Sequence, residues 1–124
     1  MDKIRVVIAD DIDLSRAKIR LILNKIENIE IVAEASDGYD LYNKVLEYKP
    51  DLVFTDNQMP VWTGIESIKR IKMEAENNPY FVLVTGDTIA KCEDAFRIVI
   101  KPYEEDEIIK VLDDYNKIKS LWNK

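Results

Sequence analysis

Five short runs of apolar, mostly β-branched residues alternate along this chain with longer segments in which apolar residues recur at helical spacing. Alternation of this kind indicates βαβ units built around a parallel sheet. The first, third and fourth runs are almost wholly apolar, as expected of parallel strands that helices cover on both faces. We therefore predict an α/β fold whose strands span Arg5–Ala9, Ile29–Ala33, Leu52–Thr55, Tyr80–Thr85 and Arg97–Ile100.

The segments between the strands carry apolar residues three and four positions apart, which predicts amphipathic helices packed on the sheet. We expect these stripes to belong to the hydrophobic core rather than to a cofactor site. Their members are Leu14, Ala17, Leu21, Ile22 and Ile26; Leu41, Val45 and Leu46; Ile65, Ile68 and Ile71; and Ile108, Leu112, Tyr115 and Trp122.

The connection between the fourth and fifth strands is short, because only residues 86–96 separate them. A parallel crossover needs about a dozen residues when it includes a helix. The fourth helix should therefore be shortened or replaced by a loop.

Composition limits the classes of function. The 124 residues fit one domain, which we predict to span 1–124, with a core of its own. A net charge of −6 argues against nucleic acid or an anionic membrane as a direct partner. The single cysteine, Cys92, excludes an internal disulfide and favours the cytoplasm, and we assign it no chemical role. The absence of histidine excludes Ser-His-Asp and Cys-His catalysis and ordinary zinc sites.

Polar and charged residues stand where the strands end. Asp10 and Asp11 follow the first strand, Asp56 the third and Lys101 the fifth, and Thr85 closes the fourth. In open α/β sheets, ligands bind outside the carboxyl ends of the strands, where the strand order reverses. Three carboxylates gathered there would repel one another unless a hard divalent cation such as Mg²⁺ neutralised them.

A carboxylate facing such a cation can attack phosphorus and form an aspartyl phosphate. The transfer depends mostly on positioning and on neutralising the charge of the phosphoryl oxygens. The cation, the Lys101 ammonium and the Thr85 hydroxyl could each take one of those oxygens.

Each of these residues also has a purely structural interpretation. Asp10 and Asp11 could cap the following helix, although Asp13 would be better placed to do so. The others could be ordinary residues: a turn residue at Asp56, a strand end at Thr85 and a solvated lysine at Lys101.

Taken in order, these residues resemble the receiver domain of two-component response regulators, over essentially the whole chain. The resemblance rests on Asp10-Asp11, on the block DNQMP at 56–60 with Gly64 behind it, on Thr85, and on Lys101-Pro102. It implies a doubly wound, five-stranded parallel sheet of order 2-1-3-4-5, the flavodoxin-like arrangement, with helices on both faces.

The resemblance also implies roles for the residues. Asp56 would be the phosphorylation site. Mg²⁺ would be held by Asp11, Asp56 and the backbone carbonyl of Gln58, while Asp10 would act mainly through water. Lys101 would contact the phosphoryl group.

Thr85 would be a second contact of the phosphoryl group, and the Lys101–Pro102 peptide would be cis. The phosphoryl donor would be the phosphohistidine of a sensor histidine kinase or phosphotransfer protein. The output would go to a protein target that the sequence does not identify. No output domain follows, so the chain is either a stand-alone receiver or a piece of a larger regulator.

The chain departs from the family pattern at several positions. The aromatic residue usual three positions before the lysine is replaced by Ile98, which puts the usual coupled switch in doubt. The interval from Thr85 to Lys101 is shortened, and Gly86 stands where alanine is usual. Trp62, after the acceptor block, is either a partial lid over its loop or a partner contact.

Three classes of function fit these observations. The first is a phosphorylation-dependent signalling switch, which the complete set of acids, threonine and lysine favours. The second is a phosphate-independent interaction domain, a pseudo-receiver, which Ile98 and the shortened fourth helix would suit. The third is a phosphohydrolase, which would need a second acid where Gln58 stands. We predict the first, with no enzymatic activity beyond the domain's own phosphorylation and dephosphorylation.

Overall fold

The computed structural model describes residues 3–122. Its five strands are β1 (Ile4–Ala9), β2 (Ile29–Ala35), β3 (Leu52–Asp56), β4 (Tyr80–Thr85) and β5 (Ala95–Ile100). Its helices within those residues are α1 (Asp13–Asn24), α2 (Gly38–Tyr48), α3 (Gly64–Glu74) and α4 (Glu105–Trp122).

The strands form one parallel sheet in the order β2-β1-β3-β4-β5, which confirms the predicted fold class. One face of the sheet packs in a core with α1 and α4, and the other in a core with α2 and α3. The two faces of β1 show this division, since Val6 and Ile8 point to the first core and Val7 and Ala9 to the second.

The strands β1 and β5 begin slightly earlier than predicted, and β2 and β3 extend past their predicted carboxyl ends to include a polar residue. In β2, Glu34 pairs in register with Ile8, and its carboxylate is bound by the guanidinium groups of Arg16 and Arg20. In β3, Asp56 pairs in register with Val84, so the acid itself ends the strand.

The connection between β4 and β5 contains turns and no helix across residues 86–94, all of which the structure describes. The prediction of a shortened or missing fourth helix is therefore confirmed. Among residues 3–122, the element after β5 is α4, and residues 101–104 join the two.

The predicted stripe of α1 was wrong in part. Leu14 is 82% exposed and Leu21 62% exposed, whereas Ile19 and Leu23 are buried with Ile22. The helix carries two overlapping apolar stripes, and only the second packs against the sheet.

The end of α4 also differs from the prediction, because Trp122 is exposed while Ile108, Leu112 and Tyr115 are buried as expected. The Tyr115 ring already contacts Tyr80, the first residue of β4, with centroids 5.3 Å apart. The remaining turns of α4 therefore continue beyond the edge of the sheet. No helix within residues 3–122 combines the length and the apolar character that crossing a bilayer requires.

Candidate functional site

The strand ends are aligned by register at one edge of the sheet. Thr55 pairs with Ala9 of β1, Asp56 with Val84 of β4, and Thr85 with Ile100 of β5. The residues that follow these positions therefore share a single edge, where the prediction placed the site.

Three predicted acids meet at this edge. Asp10, Asp11 and Asp56 each offer a carboxylate oxygen, and these oxygens lie within 4.8 Å of one another. Asp10 and Asp56 are buried, whereas Asp11 is exposed. This acidic cluster is an all-oxygen donor set of the kind that hard divalent cations prefer.

Lys101 reaches into the acidic cluster from the end of β5. Its Nζ lies 2.9 Å from Asp10 Oδ2 and 3.2 Å from Asp56 Oδ2. The backbone fixes its position, since the Lys101 N–H donates to the Thr85 carbonyl at 2.8 Å and the Lys101–Pro102 peptide is cis as predicted. The ammonium thereby bridges two of the three acids.

Burial and charge oppose each other at Asp56. Burial raises the pKa of its carboxyl and the nearby Asp10 charge raises it further, while the Lys101 ammonium and a hydrogen bond from Asn57 act to lower it. The net pKa is above the ordinary value for aspartate. At Lys101, burial acts to lower the pKa, but the hydrogen bond that the ammonium donates to Asp10 and the charges of both acids outweigh burial and leave the pKa raised. The lysine is therefore fully charged beside a carboxylate that burial has made more basic.

The Asp10 side chain has two structural partners. Its Oδ1 accepts a hydrogen bond from the Ile12 N–H at 2.9 Å, and its Oδ2 accepts one from Lys101. Asp13, the residue better placed to cap α1, does not cap it, because α1 begins at Asp13 itself and Ile12 is the N-cap residue, with no side-chain cap bond. Asp10 thus orders the entry to α1 while facing the pocket.

Thr85 lies at the predicted strand end, and its hydroxyl oxygen is bonded to the connection that follows β4. The residue is buried, and its Oγ1 accepts a hydrogen bond from the Asp87 N–H at 3.1 Å. The hydroxyl is therefore part of a turn at the start of the β4–β5 connection.

An open cavity of about 420 Å³ lies beside Asp56 and Lys101. It is also lined by Gln58 from the loop after β3 and by Gly86 and Asp87 from the connection after β4. A Cβ added at Gly86 would meet no heavy atom within 4 Å, so the cavity is open to solvent beside this residue. The cavity gives a small anionic group a route to the carboxylate of Asp56.

The loop after Asp56 is built around Asn57 and Gly64. The Asn57 N–H donates to Asp56 Oδ1 at 2.7 Å, and its side-chain oxygen accepts a hydrogen bond from the Ile65 N–H at 3.0 Å. A Cβ on Gly64 would lie 2.2 Å from the Asp56 carbonyl oxygen, which explains the glycine at this position. Thr63 then caps α3 through a capping box with Glu66.

Trp62 packs its ring against helices. The ring makes edge contacts with Tyr39 and Tyr42 of α2, with centroids 5.3 and 5.4 Å apart, and the Arg70 guanidinium of α3 lies 4.1 Å from its centroid. These contacts tie the loop after Asp56, residues 57–63, to α2 and α3, and of the two interpretations offered for Trp62 they favour the one within the domain.

Ile98 is half-buried and packs in the core shared with α2 and α3. An aliphatic side chain thus fills the position that the family gives to an aromatic.

Two site residues escaped the sequence prediction. Ser15 Oγ lies 3.2 Å from Lys101 Nζ, and the Arg16 guanidinium donates to the Asp10 carbonyl at 2.7 Å. Both lie in the first turns of α1, which emerges beside the acidic cluster. No signal in the sequence singles out Ser15, because its contact depends on how α1 packs beside β5.

The comparison with families gives a clear match. The family model described as the response regulator receiver domain matches residues 6–113. Among curated relatives, the protein-glutamate methylesterase/protein-glutamine glutaminase of Clostridium acetobutylicum is 35% identical over 94% of this chain and 36% of its own length. The transcriptional regulatory protein BtsR of Salmonella typhimurium is 34% identical over 88% of this chain and 46% of its own. The chain spans less than half the length of these relatives.

Solved structures match over nearly the full chain. The isolated REC domain of RcsB from Salmonella enterica serovar Typhimurium, determined with the phosphomimetic BeF₃⁻, has a TM-score of 0.83 at 26% identity, covering 94% of this chain and 90% of that one. The receiver domain of a NarL regulator from Mycobacterium tuberculosis has a TM-score of 0.84 at 23% identity, covering 94% and 98%, and shows the shared fold. With its strand order, its acidic cluster and a family match over most of its length, this chain belongs to the response regulator receiver domain family.

Proposed function

We propose that this domain accepts a phosphoryl group on Asp56 and signals through protein contacts. The observation that carries the proposal is the pairing of the acidic cluster with Lys101, which lies 3.2 Å from the acceptor carboxylate. The donor we propose is a phosphohistidine on a sensor histidine kinase or phosphotransfer protein. We place this exchange in the cytoplasm, the compartment that a single free cysteine favours.

The acidic cluster fits Mg²⁺. We propose that Asp11, Asp56 and the backbone carbonyl of Gln58 hold the cation, with Asp10 contributing through water. Exposed Asp11 and the cavity wall at Gln58 leave these oxygens accessible from solvent. When bound, the cation would neutralise the charge of the phosphoryl oxygens and of the crowded carboxylates.

Asp56 is oriented for attack by bonds to both of its oxygens. The Asn57 N–H holds Oδ1 and the Lys101 ammonium holds Oδ2. In the transfer, a carboxylate oxygen forms a bond to phosphorus while the bond from phosphorus to the donor nitrogen breaks. The electron pair leaves on the imidazole of the donor, and no atom is oxidised or reduced. Burial favours the reaction because it makes the carboxylate more basic and less hydrated.

Lys101 and Thr85 would follow the product. Phosphorylation would remove the negative charge of the Asp56 carboxylate, and the Lys101 ammonium would then pair with a phosphoryl oxygen instead. The Thr85 hydroxyl accepts its bond from the Asp87 N–H, so its own O–H can still donate to a phosphoryl oxygen, and any movement of Thr85 would carry the start of the β4–β5 connection with it.

The alternative is a phosphate-independent interaction domain. Ile98 in place of the usual aromatic and the helix-free connection after β4 favour it, since both remove parts of the usual coupling. We propose no reaction on a separate substrate, because Gln58 occupies the position where an aspartyl phosphohydrolase would need a second acid. The methylesterase named among the relatives matches this chain over only 36% of its length.

The test is intact mass measurement after incubation with acetyl phosphate and Mg²⁺. We expect one phosphoryl adduct on the wild type, none on Asp56→Asn, and none after the metal is chelated. Asp113→Asn, which changes an exposed acid of α4, is the matched control and should match the wild type. An unmodified wild type, or an equal adduct on Asp56→Asn, would refute phosphorylation at this residue and favour the alternative.

A further inference from the structure

The Lys101 ammonium has an uncharged partner that the recognised motifs do not include. Its three N–H groups point to three acceptors: Asp10 Oδ2 at 2.9 Å, Asp56 Oδ2 at 3.2 Å and Ser15 Oγ at 3.2 Å. An ammonium has three donors and no acceptor, so these contacts use its full capacity. Ser15 lines the small internal cavity that it shares with both acids and the lysine.

The backbone around Ser15 is held firmly against the sheet. The neighbouring Arg16 donates to the Asp10 carbonyl at 2.7 Å and forms an ion pair with Glu34 of β2 at 3.0 Å. A second arginine, Arg20, binds the same carboxylate at 2.7 Å. The first turns of α1 are thus tied to the end of β1 and to β2, in a position that leaves Ser15 Oγ 3.2 Å from Lys101 Nζ.

The partners of Lys101 respond differently to phosphorylation. The Asp56 carboxylate loses its negative charge when it becomes an acyl phosphate. Asp10 faces the pocket in which the phosphoryl group and a cation would lie, so its ion pair with the Lys101 ammonium would also change. The Ser15 hydroxyl carries no charge and is outside the reaction, so its bond is compatible with the pocket before and after the transfer.

We infer that Ser15 is a positioning residue, which holds the Lys101 ammonium at the mouth of the pocket while its charged partners are exchanged. The inference rests on the proposed phosphorylation of Asp56. Ser15 acts through Lys101 and takes no part in bond making.

The first test compares phosphorylation rates with acetyl phosphate and Mg²⁺. Ser15→Ala should phosphorylate about three- to tenfold more slowly than the wild type, the effect of losing one typical intramolecular hydrogen bond. Ser15→Thr keeps the hydroxyl and should recover most of the rate. Ser120→Ala, at an exposed serine of α4, is the matched control and should leave the rate unchanged.

The second test separates positioning of Lys101 from a general effect on α1. In a Lys101→Ala background, Ser15→Ala should cause no further loss of rate, because the ammonium that it holds is gone. The wild type, the two single variants and the double variant should also show coupling between positions 15 and 101 in their free energies of unfolding, measured without Mg²⁺ or phosphodonor. This second readout reports the contact itself and does not depend on phosphorylation.

The outcomes distinguish the two proposals. A wild type that takes no phosphoryl group refutes the proposed function, and the positioning role with it. A phosphorylated wild type with an equally fast Ser15→Ala refutes the inference alone. So does a loss of rate from Ser15→Ala that is the same with and without the Lys101 side chain, or an absence of coupling in the unfolding free energies.

Discussion

The two connections that border the pocket are held in different ways. The acceptor loop, residues 57–63, is bonded to other elements: the Gly38 N–H of α2 donates to the Pro60 carbonyl at 3.2 Å, and the Trp62 ring packs on both α2 and α3. In the β4–β5 connection, residues 86–94, the backbone bonds are local turns, such as Ala90 N–H to the Asp87 carbonyl at 3.2 Å.

The two walls of the pocket therefore differ in how firmly they are held. The acceptor loop presents Gln58 from a base bonded to α2 and α3, whereas the β4–β5 connection presents Gly86 and Asp87 from a segment whose backbone bonds are local turns. Segments with few packed contacts open at the lowest cost in free energy. Any rearrangement of Thr85 toward a phosphoryl group would therefore involve the less constrained connection.

Replacing a glycine that contacts the acceptor loop and a glycine within the β4–β5 connection should give the largest contrast. A Cβ at Gly38 would lie 2.1 Å from the Trp62 carbonyl oxygen, whereas one at Gly86 would meet no atom within 4 Å. We expect Gly38→Ala to lower the free energy of unfolding by about 3 kcal/mol through overpacking. Gly86→Ala should leave it unchanged or raise it by up to about 1 kcal/mol, because alanine restricts the unfolded chain. Urea denaturation measures both, and equal effects would contradict the comparison.

The two tryptophans offer a second matched pair. Trp62→Ala removes the ring that joins the acceptor loop to α2 and α3, and we expect a loss of about 2 kcal/mol of unfolding free energy. Trp122 is 78% exposed at the end of α4, so Trp122→Ala should change stability by no more than about 0.5 kcal/mol. Chemical denaturation followed by circular dichroism avoids dependence on the removed fluorophore. A Trp62→Ala protein as stable as Trp122→Ala would show that the tie is energetically unimportant.

The acceptor loop also carries backbone strain at Val61, which has a φ of 72° and is exposed. A β-branched residue is unfavourable in this left-handed region, where glycine is not. We expect Val61→Gly to raise the free energy of unfolding by about 1 kcal/mol, a relief of strain partly offset by the freedom glycine adds to the unfolded chain. A lower thermal midpoint for Val61→Gly than for the wild type would contradict this account.

The smallest effect concerns the hydroxyl of Tyr42, which donates a hydrogen bond to the Glu74 carboxylate across α2 and α3. That bond, with a smaller contribution from burial, raises the pKa of Tyr42 above the ordinary 10.0. A raised folded-state pKa gives stability that is complete below the unfolded value and is lost as the pH rises through the folded value. Between about pH 9 and pH 11 the wild type should therefore lose slightly more stability than Tyr42→Phe. Parallel unfolding curves across this range would show that the bond contributes nothing.

The sequence determined the sheet, the site and the helix-free connection. Parallel strands place their carboxyl ends at one edge, so residues following separate apolar runs had to meet, as Asp10, Asp56 and Lys101 do. The short interval between Thr85 and Lys101 left too little chain for a crossover helix. The meeting of these residues and the missing helix follow from spacing and chain geometry, whereas the strand order 2-1-3-4-5 was predicted from the resemblance to the receiver family.

Only the tertiary structure decided which apolar faces are buried and which neutral groups join the site. Periodicity showed that α1 has an apolar face, but Leu14 and Leu21 form one stripe and Ile19 and Leu23 another, and the sheet covers only the second. The contact of Ser15 with Lys101 and the packing of Trp62 on α2 and α3 likewise depend on how separate elements meet. Such choices are set by the shape of the surface that meets each helix, which no single segment of the sequence contains.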